Sequence, residues 1–165
     1  MFRHPRAGDG EAERGFTLIE LMMVVLIIAM LIAIAIPAFT EARAGADDAA
    51  ARTILKDSHR ALIAVLSDGK GASTVSPASL KASEPAISFQ PQAFAAEAAT
   101  KQISVSVDVP SGTVVLATHV RHGDCLAIRE RENQGTDYAR LRGSSTCPAT
   151  LFGAAVWKRD MPDRR

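Results

Sequence analysis

Hydrophobic residues are concentrated at one end of this chain. Leu21 to Phe39 reads LMMVVLIIAMLIAIAIPAF without a single charge, and counting back to Phe16 gives the ~20 apolar residues that a helix needs to cross hydrocarbon. A second pattern begins after Pro37. Phe39, Ala42, Ala46, Ala49, Ala50, Ile54, Ala61, Leu62 and Val65 recur near one helical stripe, with Glu41, Arg43, Asp48, Arg52, Lys56 and Arg60 mostly off it. The spacing predicts that the helix resumes beyond the proline and continues to about Leu66, with Asp48 and Arg52 as an i,i+4 ion pair. An element from Phe16 to Leu66 would be on the order of 75 Å long, more than a bilayer requires. Ser67-Asp68-Gly69-Lys70-Gly71 supplies its stop, with glycine available for a left-handed cap.

Beyond the helix the period changes from 3.6 to 2. Ala72 to Lys101 is rich in Ala, Ser and Pro and reads as a connecting loop, with Ile87-Ser88-Phe89 as a short strand and Pro91 to Ala99 as a short helix. Ile103, Val105, Val107 and Val109 alternate with Ser104, Ser106 and Asp108, which predicts a half-buried strand. Pro110-Ser111-Gly112 turns into a second strand, Thr113 to His122, with Val114, Leu116 and Val120 inward. Gly123-Asp124 leads to a third strand containing Leu126 and Ile128. Glu130 to Thr146, charged and glycine-rich, reads as a surface loop, Leu151 to Trp157 as a last strand, and Lys158 to Arg165 as a frayed tail. The expected fold class is α+β: a long N-terminal helix packed on a small antiparallel sheet.

Charge and composition narrow the function by exclusion. Lys plus Arg number 19 against 18 Asp plus Glu, a net charge of +1, which gives no general basis for binding nucleic acid. Arg129, Arg131, Arg140 and Arg142 cluster in sequence but read as solvated loop charge. His119, His122 and Cys125 carry zinc-ligand chemistry, yet residues three apart on a strand face opposite ways. Asp108, Asp124, Glu130 and Glu132 lack the spacing of a calcium loop and read as surface charge, and neither His4 nor His59 has an evident ligand partner. No metal and no cofactor are expected. Nucleotide-binding loops and nucleophile elbows are absent from the sequence, so the expectation is a structural protein and not an enzyme.

The start of the chain carries the specific signal. Residues 1–15 hold Arg3, Arg6 and Arg14 against Asp9, Glu11 and Glu13, with helix-discouraging Gly and Pro. A plain signal anchor would account for the apolar run and the arginines before it. It would not account for Glu20, a carboxylate at the head of an otherwise uncharged span, which costs about 2.5 to 3.5 kcal/mol at mid-membrane and less near the interface. Either Glu20 snorkels to water or it has a partner.

Arg14-Gly15-Phe16-Thr17-Leu18-Ile19-Glu20 followed by the apolar run resembles the processing motif of type IV prepilins and pseudopilins. The resemblance implies four segments: a cleaved leader 1–15, a membrane and filament-core half-helix 16–39, an amphipathic half-helix 40–66, and a globular domain 67–165. It implies that prepilin peptidase cuts between Gly15 and Phe16 on the cytoplasmic face and that the new Phe16 amine is methylated. Glu20 would then set the register of assembly by attracting a neighbour's terminal amine. Pro37, where many pilins carry a proline, would kink the helix; on propensity alone it would end the membrane span.

The implied partners are identical subunits in a helical filament, the peptidase, the inner-membrane assembly machinery, and lipid before assembly. The globular domain is expected outside the cytoplasm, where Cys125 and Cys147, the only cysteines, should be bonded; two free buried thiols are the other reading. Three roles remain open at this point: a pilus subunit, a pseudopilin of a type II secretion or DNA-uptake machine, and a signal-anchored binding domain that never polymerises.

Overall fold

The computed structural model describes residues 15–68, 71–91, 101–120, 123–132, 134–144 and 146–162. Residues 1–14 of the leader 1–15, Gly69, all but Pro91 of the short helix predicted over Pro91 to Ala99, and His122 fall outside them. The chain divides into two compact units, Met1–Thr40 and Glu41–Arg165.

A single α-helix, α1, runs Leu18–Ser67 with Pro37 inside it, so the apolar run and the amphipathic stretch are one element. Pro37 lacks the N–H that would serve the carbonyl four residues earlier, and the Thr40 hydroxyl donates to the Pro37 carbonyl at 2.9 Å. In the first unit every residue from Gly15 to Thr40 is exposed. That surface is almost wholly aliphatic, and α1 is long and apolar enough to cross a membrane.

The second unit has a different organisation. The buried positions of α1 are Asp48, Ala51, Leu55, Ser58, Ala61, Leu62 and Val65, a stripe whose 48, 51, 55, 58, 62, 65 spacing alternates three and four. It corrects the predicted stripe: Ala42, Ala46, Ala49 and Ala50 are exposed and Asp48 is inside. The physical reason is that Asp48 is neutralised where it lies, and Ser58 donates back to the Ile54 carbonyl at 2.7 Å, so two polar residues occupy core positions that hydrophobicity alone skips.

A 3₁₀ turn, Gly71–Thr74, and helix α2, Pro77–Ser83, follow. Ser76 caps α2: its Oγ accepts from Ser79 N–H at 3.1 Å while its own N–H donates to Ser79 Oγ at 2.9 Å, and Pro77 occupies the first turn where no donor is missed. The stretch read as a loop therefore contains two short helical elements. The strands are β1 (Ser88–Gln90), β2 (Gln102–Asp108), β3 (Thr113–Val120), β4 (Asp124–Arg131) and β5 (Gly135–Leu141), in that spatial order. β1 pairs parallel to β2 and the rest are antiparallel. The fold is thus α+β with a mostly antiparallel sheet.

Three further expectations need correction. β2 stops at Asp108, and Val109 is 53% exposed in the turn, where Pro110 and a left-handed Gly112 at φ 63° end the ladder. The segment 130–146 is not all loop, because β5 lies within it, paired along its length to β4; its polar residues find ionic partners, described below. Leu151 to Trp157 is not a strand: a second 3₁₀ turn, Ala149–Ala154, occupies most of it.

The sheet is buried on both faces. One face packs Ile103, Val105, Val114, Leu116, Leu126 and Ile128 against Leu55, Leu62 and Val65 of α1. On the other, Ala117, Ala127 and Ala139 form a row across β3, β4 and β5. Their small side chains admit Phe152 of the second 3₁₀ turn, which packs with them and with Cys125 and Cys147.

Candidate functional site: the first turn of the long helix

Gly15 and Phe16 precede α1 in non-helical backbone, and both are exposed. The predicted scissile bond therefore lies just outside the helix. Thr17 is the N-cap. Its N–H and its hydroxyl donate to Glu20 Oε2 at 3.1 and 2.9 Å, while its Oγ1 accepts from the Glu20 N–H at 3.3 Å. This is a reciprocal capping box. A carboxylate in the first turn is also favoured by the helix dipole. Sequence reasoning singled out Glu20 and missed Thr17, although the Thr-x-x-Glu spacing before an apolar run was a legible signal. Between Gly15 and Thr40, Glu20 is the only ionisable side chain.

A model of the prokaryotic N-terminal methylation motif matches residues 12–36. The chain carries a type IV prepilin signal. The match covers the charged approach to the predicted cleavage position, the capping box and most of the apolar half of α1. With that helix it fits a membrane-anchored, type IV pilin-like prepilin or pseudopilin. No curated protein and no solved structure matches the chain at a significant level. The prepilin match ends at residue 36, before the second unit begins at Glu41.

Pro37 lies in the first unit and the predicted disulfide pair in the second. Cys125 on β4 and Cys147 are joined as a disulfide with Cα atoms 5.6 Å apart. His119 faces Cys125 across the β3–β4 ladder, and its Nε2 lies 3.3 Å from the Ser144 carbonyl. Among the described residues, no group of three or more His, Cys, Asp or Glu is placed to hold a metal.

Asp108, Glu132 and Arg142 are exposed as expected, but Asp124, Arg129, Glu130, Arg131 and Arg140, also expected at the solvated surface, join three buried or half-buried networks. Arg140, whose side chain is 4% exposed, bridges Asp48 of α1 and Asp124 of β4, the latter at 2.9 Å. Arg52 completes the group with Nε 2.7 Å from Asp48. Asp137 receives Arg129 at 2.9 Å and also Arg131, with Arg159 at 3.5 Å. The hydrogen bond from Arg129 holds the Asp137 carboxyl below the usual carboxylate range; burial opposes this, and Arg131 reinforces it. Arg129 also stacks 4.2 Å from the Trp157 ring centroid. His59 on α1 meets Glu130 of β4 at 2.9 Å, and Thr136 of β5 donates to the same carboxylate at 2.6 Å. Of the four arginines read as loop charge, Arg129, Arg131 and Arg140 thus tie helix, strands and tail together, and Arg142 is exposed as expected.

Proposed function

We propose that this chain is the structural subunit of a type IV pilus filament. It would be stored in the inner membrane with the second unit outside the cytoplasm, cut by prepilin peptidase between Gly15 and Phe16, methylated at Phe16, and polymerised through α1. The observation that carries this reading is the prepilin signal running directly into a helix whose first half is exposed, aliphatic and punctuated by one carboxylate.

An exposed apolar helix surface of this extent needs lipid before assembly and other helices after it. Glu20 supplies specificity. Thr17 satisfies part of the carboxylate in the isolated chain, and a neighbour's Phe16 amine would supply the opposite charge once the helices bundle. A mispositioned subunit would leave that charge unpaired, at a cost of ~3 kcal/mol or more. Pro37 would let the helix bend where copies pack, and the Cys125–Cys147 disulfide would brace the second unit in an oxidising compartment. The role is architectural, with identical subunits, the peptidase and the assembly machinery as partners.

The test is mass spectrometry on sheared surface filaments and on the membrane fraction of cells expressing the protein. Methylated Phe16 chains should be abundant in the sheared fraction. Glu20→Ala should leave cleavage intact and abolish that pool. The methylated terminus confined to membranes would instead identify a pseudopilin of a secretion or DNA-uptake machine. An intact leader in cells with active peptidase would overturn the prepilin reading, and undiminished function in Glu20→Ala would point to an anchored, non-polymerising domain.

A further inference from the structure

The segment after the second 3₁₀ turn passes from one face of the sheet to the other around the β5 edge. Trp157 packs with the Phe152 cluster on the outer face. Lys158 then pairs with Tyr138 of β5: Tyr138 N–H donates to the Lys158 carbonyl at 2.7 Å, and Lys158 N–H returns a bond to the Tyr138 carbonyl at 2.9 Å. Arg159 donates to the Gln134 carbonyl at 3.0 Å. Met161 packs against the α1-side core, and Arg52 of α1 donates to the Pro162 carbonyl at 2.6 Å.

β5 is an edge strand. In an antiparallel ladder, residues on one strand alternate between bonding inward and bonding outward. Since Tyr138 bonds outward to Lys158, the same period directs the N–H and C=O of Thr136 and Arg140 outward as well. The strap meets this row with one bridge, Tyr138↔Lys158, whereas β4 holds β5 along its full length. Trp157, Met161 and the Arg52 bond to Pro162 hold the ends of the strap, but its side-chain holdfasts at the edge itself are weak. Lys158 is exposed, the Arg159 side chain is 70% exposed, and an ion pair that open to water contributes little. An outward-facing backbone row of this kind is a template for strand addition.

We propose that the β5 edge is a peptide-accepting site, and that residues 157–162 are its resident occupant and cover, replaceable by the same segment of a second copy of this chain. An exchanged tail would reproduce every contact of the resident one, which makes exchange a low-cost route to association. This inference rests on the sheet edge alone and stands or falls separately from the pilus reading.

The test uses the full chain in detergent micelles and a version ending at Val156. A fluorescently labelled peptide of sequence Trp-Lys-Arg-Asp-Met-Pro, matching residues 157–162, should bind the shortened chain at least about tenfold more tightly than the full chain, because the resident tail competes. The same peptide with proline in place of its lysine should lose that preference, since it lacks the N–H that bonds Tyr138. Equal binding to both chains, or to neither, would overturn the proposal. Should the shortened chain fail to fold, hydrogen exchange in the full chain decides the matter: Lys158→Pro removes the 158 N–H bond to the Tyr138 carbonyl, and the bridge so loosened should open often enough to accelerate exchange of the Tyr138 amide, whose acceptor is the 158 carbonyl, about tenfold, while Lys158→Ala should leave it unchanged. An unchanged Tyr138 amide in Lys158→Pro would refute a cover made by this bridge.

Discussion

Arg140→Met provides the sharpest test of how the second unit is held together. The side chain of Arg140 is 4% exposed and joins Asp48 on α1 to Asp124 on β4. Methionine keeps much of the length and apolar bulk but removes the cation. Breaking a buried pair by deleting one partner costs about 3 to 5 kcal/mol, mostly from the charge left behind. Here the lower end applies. Asp48 retains Arg52, Asp124 is 23% exposed and can hydrate, and the Arg140 Nε has no hydrogen-bond partner among the described residues to lose. The expected loss is therefore ~3 kcal/mol.

Adding Asp48→Ala should recover part of the loss, since the stranded anion is gone, giving a coupling of at least ~1.5 kcal/mol in the double-mutant cycle. Urea unfolding of the full chain in micelles measures this without adding salt. Trp157, the sole tryptophan, reports on the second unit through its packing with Phe152 and Arg129. With a slope of ~1.5 kcal/mol per molar urea, the midpoint should fall by ~2 M. Single-variant losses below ~1 kcal/mol that simply add would refute the buried-charge account.

Two further outcomes follow from the same unit. Replacing both Cys125 and Cys147 by serine opens a 22-residue separation and should cost ~3 kcal/mol in the urea assay; reductant on the natural chain should reproduce the loss. Asp137 has its carboxyl held below the unfolded value, so its contribution is complete above pH ~4 and drains away as pH falls through the lower folded value. Between pH 7 and 3 the natural chain should therefore lose stability that Asp137→Asn, weaker from the outset, does not have to lose; parallel pH profiles would refute this.

What the sequence made legible depended on how far each signal was local. The apolar run, the prepilin motif, the alternation of β2 and the turns at Gly112 and Gly123 are all encoded by near neighbours, and the helix, the prepilin signal and the meander could be read from them. The misreadings share another cause. Asp48 belongs to the buried stripe only because Arg140 arrives from β5, and β5 looked like loop because Asp137 and Arg140 find their counter-charges on β4, α1 and the tail. Burial of those groups is decided by partners distant in sequence, which no window of hydrophobicity contains. Phe152 likewise sits on a sheet face whose capacity comes from three alanines on three strands. The Thr17–Glu20 box is the exception, a local signal that was present and passed over.

The two carboxylates at the ends of this logic bear on assembly. Asp48 is neutralised within its own unit by Arg52 and Arg140, so it has no call on another chain. Glu20 accepts both of its Thr17 bonds on Oε2, while a carboxylate can accept about four. Hydrogen bonds from an N-cap stabilise the anion without cancelling its charge, and no cation lies between Gly15 and Thr40 to do so. If the helix enters an apolar bundle, the remaining valence has to be met from outside the chain. Thr17→Val separates the two contributions. It should strip the cap's hydroxyl, weakening the first turn by about 1 kcal/mol, yet leave Glu20 charged and able to take a neighbour's amine. Filament yield should therefore fall far less than in Glu20→Ala, and an equal collapse in both variants would show that capping, not intersubunit charge pairing, is what Glu20 contributes.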